Sequence, residues 1–125
     1  MLKLSLAIIL LAGPLAAQDT PTDQNWAQKT GDTLLTDAAL QQRLTGQTIT
    51  FYDDGQSYYY PDGRYTYTYA DEGGVAYGHY QLEPDSTVCV AFVNGFSRCD
   101  RFVQTAERLV MLTAKGDRFP VRPRP

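Results

Sequence analysis

All nine tyrosines of this chain lie between Tyr52 and Tyr80, in a lysine-free stretch broken by Asp54-Gly55, Asp62-Gly63 and Gly73-Gly74. Tyrosine suits a half-buried pleated surface, and Asp-Gly and Gly-Gly pairs supply the positive φ that tight hairpins need. The stretch therefore reads as an antiparallel meander. The same spacing continues to the end of the chain and predicts strands over Thr48 to Tyr52, Gln56 to Tyr60, Arg64 to Ala70, Val75 to Glu83, Thr87 to Val93, Phe96 to Val103, Arg108 to Thr113 and Arg118 to Val121. Pro84-Asp85-Ser86 and Lys115-Gly116-Asp117 supply further turns. Eight short strands joined locally predict an all-β domain, either a small up-and-down barrel or a strongly curled sheet, since both reduce exposed edges.

One helix is predicted ahead of the strands, from Asp37 to Leu44. Thr36 is a good N-cap, Asp37 complements the first-turn dipole, Leu40 and Leu44 share a face, and Gly46 can close the C-terminus. A helix this short holds only by laying its leucines on another element. The sheet is the only candidate.

The first 17 residues carry Lys3, the apolar run Leu4 to Ala12, and then Gly13-Pro14-Leu15-Ala16-Ala17. This is the three-part layout of a secretory signal, and the run is too short to span a bilayer. Cleavage after Ala17 is expected, which places the mature chain in the periplasm or outside the cell with no membrane span. Gln18 to Gly31 reads as a flexible lead, residues 32–121 as a single β domain, and 122–125 as a tail. The chain has a formal net charge of −3 and no basic cluster within the domain, which argues against nucleic acid and anionic lipid as partners. Arg118, Arg122 and Arg124 stand among Pro120, Pro123 and Pro125 and read as a solvated extension.

Cys89 and Cys99 are the only cysteines. Exported thiols are normally oxidised, so a structural bridge is the default. A metal pair would lack further ligands, since His79 is the only histidine, and a redox centre usually shows Cys-x-x-Cys spacing. The bridge fixes the register. A two-residue loop at Asn94-Gly95 would put the cysteines on opposite faces, whereas a loop of Val93, Asn94 and Gly95, with Gly95 left-handed in a bulge, sets Cys89 directly opposite Cys99.

Pro61-Asp62-Gly63 fits the same geometry, and Asp53-Asp54-Gly55 is expected to follow it. That register gathers Ile49, Phe51, Tyr59, Tyr65, Tyr67 and Tyr69 on one face, and Tyr52, Tyr58, Tyr60, Arg64, Thr66 and Thr68 on the other. Two-residue loops would exchange Tyr59 for Tyr58 and Tyr60. Both registers make Tyr65, Tyr67 and Tyr69 core residues. Tyr58 and Tyr60 beside Arg64, with Tyr52, are then the candidate partner-binding surface, because exposed tyrosine rings stack on sugars or anchor proteins at small entropy cost. The competing reading is simply that tyrosine is a favoured strand residue. Trp26, alone in the lead, is expected to cap an open barrel end.

Catalytic signatures are missing from the sequence. His79 sits mid-strand without a serine elbow, so no nucleophile-base set can be assembled around it. Asp53, Asp54, Asp62, Asp71, Glu72 and Asp85 all fall in predicted turns, where Asp is explained by local hydrogen bonding. Asp53-Asp54-Gly55 lacks the alternating acids of a calcium loop, and no phosphate-binding glycine loop opens a helix. The expectation is a chain with no enzymatic activity, no metal and no cofactor.

Leu44-Thr45-Gly46-Gln47-Thr48, Phe51-Tyr52-Asp53-Asp54-Gly55, Tyr60-Pro61-Asp62-Gly63-Arg64, Gly78-His79-Tyr80, Val88-Cys89-Val90-Ala91-Phe92 and Gly95-Phe96-Ser97-Arg98-Cys99-Asp100 together resemble small exported all-β proteins of Gram-negative bacteria that have no assigned activity. The resemblance implies export and a β fold and brings no catalytic residue. Three functions are in view: a non-enzymatic domain binding a periplasmic protein or envelope component through a sheet face, a β-barrel protease inhibitor acting through Gln18 to Gly31, and an enzyme on wall sugars. The last requires two carboxyls to converge in a cleft.

Overall fold

The corners explain the architecture. A computed structural model describes residues 25–124, so the expected signal sequence and the first part of the lead lie outside the described residues. The elements run β1 (Thr33–Leu34), α1 (Asp37–Leu44), β2 (Thr48–Thr50), β3 (Gln56–Tyr59), β4 (Arg64–Thr68), β5 (Val75–Glu83), β6 (Thr87–Phe92), β7 (Ser97–Thr105), β8 (Arg108–Thr113) and β9 (Arg118–Pro120). Strands β2 to β9 pair in chain order, each antiparallel to the next, and β1 adds to the outside of this path on β7. The result is a curled half-barrel. Its two edges meet at a single point, where Phe51 bridges Val121 and the Arg122 N–H donates to Thr50 O at 2.7 Å.

At the β6–β7 corner Phe92 N–H donates to Phe96 O at 2.8 Å and Gly95 N–H to Phe92 O at 3.0 Å, with Gly95 at φ +94. This is the expected three-residue loop, and it places Cys89 opposite Cys99, joined in a disulfide. The β3–β4 corner repeats the pattern, with Gly63 at φ +95 and Tyr59 facing Tyr65. The β2–β3 corner differs by one position. There the loop is Tyr52, Asp53 and Asp54, closed by Phe51 N–H to Gly55 O, and Asp54 takes the left-handed φ of +71. Gly55 serves another purpose: a Cβ on it would run into the Tyr67 hydroxyl oxygen.

Leu40 and Leu44 of α1 are fully buried, and Thr36 Oγ1 accepts the Ala39 N–H at 3.2 Å, as expected of the N-cap. The leucines close the concave side over Ile49, Phe51, Tyr59, Tyr65, Val88, Val90, Phe102, Leu109 and Met111. A second cluster lies on the convex side, where Trp26 packs on Val103, Val110 and Leu112. The Arg101 guanidinium stands 4.9 Å from the Trp26 ring centre. Strand β8 is thus covered on both faces, consistent with its unbroken run Leu109-Val110-Met111-Leu112.

Four expectations are corrected here. Trp26 covers the outside of β7–β8 and does not plug a barrel end. The described part of the lead is docked: Asn25 N–H donates to Ala114 O, and Arg118 binds Ala27 O and Asp32. The C-terminal arginines are engaged, Arg118 with Asp32, Arg122 with Asp54 at 2.8 Å, and Arg124 with Arg43 O at 3.4 Å. Tyr69 shares the concave side with Tyr65 and Tyr67 but is 52% exposed, because it lies beyond the last paired residue of β4.

Candidate binding cleft

The disulfide parity that sets the register also sends Arg98 and Asp100 to the concave face, on either side of Cys99 in β7. Phe102, two residues further along, is fully buried on that face. Arg98 holds Asp100 through two parallel bonds, Nε to Oδ2 at 3.0 Å and Nη2 to Oδ1 at 2.7 Å. The Asp100 side chain is 8% exposed and that of Arg98 47%. The Asp100 carboxylate is thus nearly buried against aliphatic and aromatic side chains, where a charge left unpaired is costly, while Arg98 reaches it from a half-exposed position.

The pair forms one wall of a cleft of about 180 Å³ at the mouth of the half-barrel, lined also by Asp53, Ser57, Tyr65, Tyr67, Tyr69 and Phe92. Phe51 and Phe119 stand on the two sides of the seam between β2 and β9. Tyr67 and Tyr69 meet edge to face, with ring centres 4.9 Å apart. Tyr65 and Phe92 flank Gly78 in register, and their rings come within 5.9 Å over it. A side chain at position 78 would meet the Ala91 carbonyl oxygen at 2.6 Å, so the close approach of β5 and β6 beneath the ring pair requires glycine.

Several polar groups of the cleft bond to one another or to the backbone. The Tyr65 hydroxyl and Ser57 Oγ lie 2.9 Å apart in a buried bond. Burial pushes the Tyr65 phenol up to about 12, and Tyr59, wholly enclosed behind it, is raised well above its ordinary range for the same reason. Tyr67 is raised by burial and then by the nearby Asp53 carboxylate. Burial also lifts the Asp100 carboxyl against the pull of Arg98. Asp53 Oδ1 accepts the Gly55 N–H at 2.9 Å, the local turn bond expected of it.

The surface singled out from the sequence is divided. Tyr58 and Tyr60 pack edge to face with centres 4.4 Å apart, and the Arg64 guanidinium lies 4.5 Å from the Tyr60 ring centre. Tyr52 is not with them. It sits at the opposite end of the β2–β3 hairpin under Arg122. His79 is exposed on the convex side, paired across strands with Arg64 and Ala91. Sequence reasoning passed over Arg98 and Asp100, although the parity that placed Cys99 outward also placed them inward with Phe102.

Comparison with protein-family models, curated proteins and solved structures returns no match for this chain. Among the described residues no helix is long and apolar enough to cross a membrane.

Proposed function

We propose that this chain is an exported, non-enzymatic binding domain that takes up an envelope component or part of a periplasmic protein in its concave cleft. The supporting observation is the Arg98–Asp100 pair, joined by two hydrogen bonds at the wall of an aromatic-lined cavity that opens to solvent. Concave sites with a few fixed polar groups among apolar rings are the usual form of a ligand pocket. On the convex side the one cation of the Tyr58, Tyr60 and Arg64 cluster is already engaged, since Arg64 pairs with Asp62 at 2.8 Å and lies over the Tyr60 ring.

Asp53 and Asp100 both line the cleft, which meets the first requirement for acting on a glycosidic bond. Asp100 is a poor proton donor, because each of its oxygens accepts an N–H from Arg98. Binding therefore fits the arrangement better than hydrolysis.

Capture from a periplasmic extract tests the proposal, using the wild type, a cleft variant (Tyr67→Ala with Arg98→Gln) and a convex variant (Tyr58→Ala with Tyr60→Ala), each checked for native circular dichroism. A partner lost only with the cleft variant supports the reading. Loss only with the convex variant moves the site to that face, and undiminished capture by both variants refutes it.

A further inference from the structure

We infer that the cleft accommodates a single neutral sugar ring, held between the Tyr67–Tyr69 corner and the planar Arg98–Asp100 pair; this rests on the cleft being the binding site.

Size sets the first limit. Drug-sized ligands occupy pockets of roughly 300 to 1,000 Å³, whereas an apolar cavity of about 150 Å³ suffices for benzene. At about 180 Å³ this cleft matches one six-membered ring and excludes a longer chain from lying fully inside. A polymer can enter only by its terminal unit.

Chemistry sets the second. Nε and Nη2 of Arg98 are committed to Asp100, while Nη1 has no hydrogen bond among the described residues. Each Asp100 oxygen accepts one bond from Arg98 and retains a second lone pair. The pair thus offers donors and acceptors side by side in one plane. A hydroxyl both donates and accepts, so neighbouring hydroxyls on a ring match such an edge, whereas a carboxylate only accepts and an ammonium only donates. Tyr67 and Tyr69 add apolar ring surface with a hydroxyl at the tip, and with Tyr69 52% exposed that surface is accessible at the mouth.

Charge sets the third. Arg98 and Asp100 cancel, leaving Asp53 as the one unbalanced charge on the lining. An anionic ligand is disfavoured by that sign. A cation is the main competitor, since aromatic walls also attract cations and Asp53 keeps its negative charge, so the test sets a cation directly against the sugars. The site is built for a neutral, hydroxylated ring.

The test is a chemical-shift titration of the ¹⁵N-labelled chain purified from the periplasm, using methyl β-glucoside and N-acetylglucosamine as sugars, with tetramethylammonium chloride and sodium benzoate as charged counterparts. Saturable shifts from a sugar at Tyr65, Tyr67, Arg98 and Asp100 are expected. Tyr67→Ala and Arg98→Lys should each weaken the sugar about tenfold, a difference of about 1.4 kcal/mol, while the convex-face variant Tyr58→Ala leaves its Kd within about twofold. Arg98→Lys keeps the charge and removes the planar fork, so it tests recognition without leaving Asp100 unpaired. Saturation by tetramethylammonium alone, abolished in Asp53→Asn, overturns the sugar in favour of a cation. Saturation by benzoate alone overturns it in favour of an anion. If no probe moves the cleft signals the sugar inference falls, and the extract capture then decides independently whether the cleft binds anything.

Discussion

Asp32 and Arg118, 86 residues apart, close a two-point ion pair of 2.6 and 3.0 Å that clamps the N-terminal segment onto β9. The Asp32 side chain is 1% exposed and also accepts the Lys29 N–H at 2.7 Å. Arg118→Ala leaves this carboxylate covered and unpaired, and is expected to cost about 3 kcal/mol in urea denaturation. Trp26, the only tryptophan, reports release of the segment as a red shift of its emission.

Arg118 holds the Asp32 carboxyl below its usual 3.8. A depressed acid stabilises the fold fully above pH 3.8 and loses that contribution as pH falls through the lowered folded value. Denaturation from pH 7 downward should therefore show the gap between wild type and Asp32→Asn narrowing below about pH 4. A gap that stays constant through that range would show that the pair adds no charge-dependent stability.

Alkali acts through the enclosed phenols. Tyr65 is raised by burial to about 12, and burial also raises Tyr59 well above its ordinary value. The fold prefers both rings neutral, so stability is complete below pH 10 and declines as pH rises from the unfolded value toward the folded one. Phenolate absorbance at about pH 11 should leave these two rings un-ionised until the chain unfolds. Tyr65→Phe should cost about 1 kcal/mol by stranding Ser57 Oγ, and much of that should be recovered in the double variant with Ser57→Ala.

Removing the Cys89–Cys99 bridge by replacing both residues with alanine is expected to lower stability by about 2 to 3 kcal/mol, the chain-entropy value for so short a loop. Strands β6 and β7 keep their ladder in that variant, so circular dichroism at 25 °C should be unchanged while the urea midpoint falls. An unchanged midpoint would mean the covalent link merely duplicates what the hairpin already enforces.

Two glycines separate stability from cleft shape. Gly78→Ala drives a methyl against the Ala91 carbonyl, which belongs to the backbone and cannot yield, and should cost about 1 to 3 kcal/mol. Gly55→Ala meets the tip of Tyr67 instead. Its stability should fall less, but the Tyr67 ring resonances should move as the hydroxyl is displaced.

Much of this fold is legible in the amino-acid order. The helix bounds, the eight paired strands and the cysteine register follow from capping residues, turn chemistry and the period of two along a strand. The β2–β3 corner misled because Asp54-Gly55 looks like a left-handed glycine turn, whereas Asp54 adopts that conformation and Gly55 is small to admit Tyr67. Strand β1 is only two residues long and has no periodicity to detect. Trp26 and the C-terminal arginines find partners far along the chain, Arg118 at Asp32 and Arg122 at Asp54 among them, and such pairings leave no local trace. The cleft was partly legible, since Arg98 and Asp100 share the parity of Phe102, but charged residues in a strand are ordinarily read as facing water.

The half-barrel is joined at its seam by the Phe51–Val121 bridge and by Arg122, which bonds Thr50 O, Tyr52 O and Asp54, and both lips of that seam carry a phenylalanine that lines the cleft. Widening the aperture there breaks no ladder between consecutive strands. Among the described residues the cleft is thus bounded on one side by a seam that no strand ladder closes, while the disulfide and the docked tryptophan brace strands away from it.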